Sequence, residues 1–206
     1  MTPAAFVIAS LVAGSFTSRP EPPASHLWVI NELFSDPGGT VQFIEMWECC
    51  GSAFETHLTG KSVFSDATGN SYTFSSDVVG NTAHRYLLLG TATFAALPGA
   101  PTPDAIIPDQ FFSINGDTIR WHVYPNATLT FGPGVLPVNG LLSLNKDGTT
   151  GVNTPTNFAG QTGTVNISTT PAMPAVWFAA LVVSALLAGA LVLRSTRPGA
   201  PAVARG

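Results

Sequence analysis

Charge is scarce in this sequence. Charged residues make up 10% of its 206 positions, well under the usual quarter for soluble domains. Lysine and arginine together number only 8. Between Pro20 and Thr170 four bases (Lys61, Arg85, Arg120, Lys146) stand against all twelve acids. That excludes a nucleic-acid partner, because such binding rests on neutralising phosphates with Lys and Arg. Cysteine is nearly absent: Cys49 and Cys50 are the only two, and they are adjacent. There is no Cys-x-x-Cys and no zinc-ligand spacing. No His-Glu-x-x-His array and no Asp-x-Asp-x-Asp-Gly loop occurs, so the common zinc-hydrolase and EF-hand calcium motifs are missing. Between the two ends of the chain no stretch is long and periodic enough to predict a helix.

What is abundant points to turns and strands. Glycine (20) and proline (17) are frequent, as in all-β chains. The stretch 27–48, LWVINELFSDPGGTVQFIEMWE, reads as strand, tight turn, strand. Asp36-Pro37-Gly38-Gly39 supplies the turn: proline presets φ, and glycine tolerates φ > 0. Further strands are expected at 58–65, 71–74, 85–90, 118–124, 129–131 and 141–145. Residues 92–97 predict one helical turn stopped by Pro98. In 118–124 the alternation puts Ile119, Trp121 and Val123 on one face, and Thr118, Arg120, His122 and Tyr124 on the other, toward water. About eight short strands at this spacing predict an all-β sandwich or barrel with a single core of two sheets.

The ends carry membrane signals. Residues 4–16, AAFVIASLVAGSF, have the length of a signal-peptide apolar region, although no base precedes Arg19. Residues 17–26 form a proline-rich linker. Val176–Leu193 is uncharged throughout, long enough as a helix to cross the roughly 30 Å hydrocarbon core. Trp177 marks one margin. Arg194 and Arg197 mark the other, so that end is expected in the cytoplasm. The expected organisation is a signal-like segment (1–16), a linker (17–26), a β-body (27–160), a linker (161–174), a transmembrane helix (175–193) and a short basic tail (194–206). The tail resembles the sorting tails of bacterial surface proteins, with Pro171-Ala172-Met173-Pro174 where exosortase-type tails carry Pro-Glu-Pro.

Within the body, VINELF…VQFIEMWE, HLTGKSVFSDATGNSYTF, YLLLG, NGDTI and LNKDGTTGVNTPTNFAG together resemble the lamin-tail domain. The resemblance covers roughly 28–160. It implies an immunoglobulin-like β-sandwich, common in secreted bacterial proteins, acting in interaction or adhesion. It carries over no catalytic residue. The family has an Asn near Glu48, where this chain has Cys49-Cys50.

Candidate chemistry is thin. In an oxidising compartment Cys49 and Cys50 can close a vicinal disulfide; two buried thiols or intermolecular pairing are the alternatives. Glu32, Glu45 and Glu48 share the hairpin, and clustered carboxylates serve glycoside hydrolysis or Ca²⁺ binding. His57 follows Cys50 at a distance that invites a Cys–His pair. His26, His84 and His122 are scattered. Gly60-Lys61-Ser62 mimics a phosphate loop, but Glu55 stands where that loop requires glycine. Asp66 and Asp147 read as turn acids. Asn126-Ala127-Thr128 and Asn166-Ile167-Ser168 match short glycosylation patterns. The reading that results is a non-enzymatic surface module without a cofactor, tethered through Val176–Leu193, with an extracellular protein or polysaccharide partner. A calcium- or carbohydrate-binding module, with Tyr124 as an exposed platform, is the first alternative. A small secreted hydrolase is the second.

Overall fold

A computed structural model describes residues 24–167. The signal-like segment, most of the first linker, the expected transmembrane helix and the basic tail lie outside the described residues. Among the described residues no helix is long and apolar enough to cross a membrane.

The described residues form ten strands and one helical turn: β1 (Trp28–Ser35), β2 (Gln42–Glu48), β3 (Ser62–Ser65), β4 (Ser71–Thr73), β5 (Tyr86–Thr91), α1 (Ala92–Ala95), β6 (Ala105–Ile107), β7 (Asp117–Trp121), β8 (Thr128–Phe131), β9 (Leu142–Asn145) and β10 (Thr150–Val152). They make two sheets, ordered β10-β9-β1-β2-β5-β6 and β4-β3-β7-β8. The all-β class is therefore observed. All strand pairs are antiparallel except β5 with β6.

The hairpin 27–48 is the centre of the larger sheet. Its turn closes as the residue types dictate: the Asp36 carboxylate accepts from Val41 N at 2.9 Å and Thr40 Oγ1 at 3.1 Å, and Gly39 takes φ +70°. Nearly every residue of β1 and β2 is buried, so both faces of the hairpin are covered. Ile30, Leu33, Ile44 and Met46 join the inter-sheet core with Val63, Ile119, Trp121, Leu129 and Phe131. Each such side chain contributes roughly 1.5–3 kcal/mol by leaving water. On the opposite face, Phe34 stacks on Phe43 at 5.4 Å, and Phe94 of α1 leans on Phe43 at 5.2 Å. α1 starts at Thr91, whose hydroxyl accepts from Phe94 N. Gly90 makes room for this turn, since a Cβ there would lie 2.6 Å from the Phe94 ring.

Three expectations need correction. Strand β6 reads as loop in sequence because Pro103 and Pro108 flank it; it exists as an edge strand, where the ladder tolerates nearby proline. Strand β10 is three residues around Gly151. The strand expected over 118–124 ends at Trp121, because His122 takes φ +46° and breaks the alternation. Val123, expected inside, is 76% exposed. Packing also runs past both expected limits of the body: Ser25 and Val165 are buried, and the compact unit ends at Val165.

Candidate functional site

The three hairpin glutamates separate into two structural tasks. Glu32 of β1 and Glu45 of β2 are register partners, both on the face that carries Phe34 and Phe43, and both are about 1% exposed. Glu32 accepts from the Ser143 hydroxyl, from Thr154 N at 3.0 Å and from Thr154 Oγ1. Glu45 accepts from Asn31 Nδ2 and Thr156 N, each at 2.7 Å. The pair thus fastens the segment 154–156 over the sheet. Asn31 sits at a register shift in β1, and this irregularity accompanies its reach across to Glu45. Burial pushes the Glu45 carboxyl up to about 8, and the neighbouring Glu32 charge adds to it. Burial likewise raises Glu32.

Glu48 does something else. Fully buried, it accepts four backbone N–H groups: Cys50 at 3.1 Å, Gly51 at 2.8 Å, Ser52 at 3.1 Å and His84 at 2.8 Å. Burial works to raise its pKa, but the bonds from His84, Ser52, Gly51 and Cys50 together outweigh burial and hold it below the usual carboxylate value. The loop it gathers contains Cys49 and Cys50, whose sulfurs are bonded to each other. Gly51 takes φ +83°, and a Cβ there would meet His84 Nε2 at 3.0 Å. His84 itself sits at φ +55° and stacks on Trp47. No three His, Cys, Asp or Glu side chains among the described residues form a group able to hold a metal ion.

The remaining expected residues fall apart from one another. His57 pairs with Asp77 at 3.1 Å, not with Cys50, whose sulfur is already bonded. The Thr59 hydroxyl and N–H, with His57, hold Asp77 well below the usual carboxylate range. Lys61 lies in the approach to β3, not in a turn into a helix. Asp66 binds Arg120 at 2.6 Å, and Asp147 accepts from Thr149 N and Oγ1. Tyr124, expected exposed on a strand, is half-buried in the β7–β8 turn. Its hydroxyl is 3.1 Å from Ser25 Oγ.

Sequence reasoning missed the surroundings of Tyr124. A hollow of about 370 Å³ opens between the start of β1, Cys49 and the turn Tyr124–Ala127. Near this end of the fold two buried side-chain atoms, Glu55 Oε1 and His122 Nδ1, make no hydrogen bond. The Glu55 oxygen is 3.4 Å from His26 Nδ1, and the His122 ring is 5.7 Å from that of Tyr124. Burial, with the charge of Lys61, lowers the His122 pKa. Trp28 Nε1 donates to Glu55 O at 2.8 Å, and Trp121 Nε1 donates to Ser25 O at 2.7 Å; both bonds anchor this end to the core. The one available sequence signal was the crowding of His26, Cys49-Cys50 and Tyr124 near strand ends. At the opposite end a second hollow, of about 440 Å³, is bordered by Gly38, Thr68, Asn70 and Gln110. There the Asn70 and Thr68 side chains are bonded to backbone carbonyls of 110–111. No family model, no curated protein and no solved structure matches the chain.

Proposed function

We propose that this chain is a non-enzymatic interaction module, exported and tethered to a membrane by Val176–Leu193, with its acidic β-body outside the cell. The observation that supports it best is the employment of the hairpin carboxylates. Glu32, Glu45 and Glu48 are all buried and spend their oxygens fastening the chain's own segments at 50–52, 84 and 154–156. Hydrolysis by a carboxylate pair needs both groups open to a substrate between them, and a covering segment leaves no such gap. The apolar segment, the arginines after it and the absence of acids beyond Pro171 favour tethering with the tail in the cytoplasm.

Kinship with the lamin-tail domain belongs to the same proposal. The INE and FIE tripeptides that suggested it lie on β1 and β2, and two packed sheets agree with an immunoglobulin-like sandwich. Fractionation of tagged protein tests the reading. The full-length chain is expected in the membrane fraction, with its body digested by protease added to intact cells. Recovery of the full-length chain in a detergent-free soluble extract overturns it.

A further inference from the structure

We propose that the hollow beside Cys49 and Tyr124 binds one neutral pyranose ring, which names a ligand class for the interaction module and rests on that reading. Its volume, about 370 Å³, falls at the small end of the roughly 300–1,000 Å³ typical of small-molecule sites. Leu27, Val29, Ala127 and the Cys49 half of the disulfide line it with apolar surface. The rings of His26 and Tyr124, with centroids 6.4 Å apart and planes at 58°, make one corner. Aliphatic and aromatic walls meeting a few polar groups suit a ring that carries C–H bonds on one face and hydroxyls at its edge.

The polar groups are positioned to read those hydroxyls. His26 is half exposed, and its Nδ1 faces the buried Glu55 oxygen at 3.4 Å. With Nδ1 turned toward that oxygen, Nε2 lies on the far side of the ring. Asn126 is exposed at the rim, with an amide able to donate and accept.

Charge narrows the class. Among the described residues no Lys or Arg lines the hollow, so a phosphate or carboxylate ligand has no counter-charge there. No acid among the described residues lines the hollow, and Glu55, which faces His26, is fully buried, so a cation has no exposed partner. A purely aliphatic ligand leaves His26 and Asn126 unused. A neutral polyol ring uses both kinds of wall.

Saturation-transfer NMR on the purified full chain tests this. A zwitterionic, sugar-free detergent is used, with the methyl glycosides of glucose, galactose, mannose and N-acetylglucosamine as probes. At least one probe is expected to receive saturation at its ring C–H protons, with millimolar affinity. His26→Ala and Asn126→Ala are each expected to weaken that probe about tenfold, the loss of one good hydrogen bond. Asn70→Ala, at the opposite hollow, is expected to change nothing. Both test positions are half exposed or exposed, so the fold tolerates the changes; near-UV circular dichroism verifies this. No transfer to any of the four probes, or transfer indifferent to both variants, overturns the proposal. The measurement does not depend on where the protein resides, so its failure is distinct from a failure of the fractionation experiment.

Discussion

The two ends of the sandwich solve the same problem with different residues. At each end loops must be closed over a core, and at each end a buried carboxylate gathers them. At the end where β1 begins, Glu48 binds the N–H groups of 50–52 and 84. At the far end Asp117 accepts from Ser65 Oγ, Ala67 N, Ser113 N and Thr118 N. Gln42 adds an amide that bonds Phe112 through both its N–H and its C=O. Among the described residues the unpartnered buried side-chain atoms, Glu55 Oε1 and His122 Nδ1, both belong to the first end. That end also holds the disulfide and two non-glycine residues in the left-handed region, His84 and His122, against one, Gln110, at the far end. Such strain persists only where surrounding structure enforces it, and it is concentrated at working surfaces. The contrast teaches that a carboxylate clamp is compatible with a cap whose buried groups are bonded and with one that leaves two of them unmet.

Removing the clamps breaks the comparison most severely. Glu48→Ala strands four backbone donors, and Asp117→Ala strands comparable groups at the other end. Each is expected to cost roughly 3 kcal/mol in urea unfolding. Hydrogen exchange should rise at 50–52 and 84 for the first and at 67 and 113 for the second. Equal loosening of both ends by either variant sinks the idea of two separate caps.

Titration sharpens the contrast between Glu48 and the Glu45 pair on the outer face. Glu45 has its pKa raised in the folded chain, from 4.5 to about 8. The folded state therefore binds this proton more tightly than the unfolded one. Its contribution is fully present below the ordinary value and is lost as pH rises through about 8. Glu48 is lowered, so its contribution is present above the ordinary carboxylate value and lost as pH falls through its folded one. Melting temperature is expected to decline from mildly acidic pH toward alkaline pH. Glu45→Gln should flatten that decline by up to about 5 kcal/mol, since each tenfold gain in proton affinity corresponds to about 1.4 kcal/mol. Glutamine preserves both bonds if Asn31 turns its amide over. An unchanged slope in the variant would falsify the assignment of the proton to Glu45.

Smaller effects probe packing between the ends. Gly90→Ala places a Cβ 2.6 Å from Phe94 and 2.9 Å from Pro103, and is expected to cost about 2 kcal/mol by overpacking. Gln110, at the far end, has φ +55°; Gln110→Gly is expected to stabilise by about 1 kcal/mol, as the left-handed penalty disappears. At the first end His84→Gly should gain less, because His84 also stacks on Trp47. A larger gain there than at Gln110 would reverse the ranking.

Much of the architecture was legible because it is local. The DPGG turn fixed the hairpin, and Pro98 marked the stop of the helical turn that 92–97 predict. What escaped was non-local. β6 is paired in parallel with β5 only after a connection through α1 and several prolines, and no short-range pattern announces it. The alternation through Val123 misled because one left-handed residue, His122, turns the following side chains about. The glutamates were visible as a cluster, but their employment depends on partners such as Thr154, more than a hundred residues from Glu32. The hollow was invisible for the same reason: it is assembled from three stretches that meet only after folding.

The bond from the Trp121 indole to the carbonyl of Ser25 ties the strap that leads into β1 to a side chain in the middle of the core. Tugging on that strap would load this bond and the paired contacts of Ala24 with Phe54 and His57 before any sheet is sheared. A shift of Trp121 emission ahead of global unfolding is the expected optical sign that such a load has reached the core.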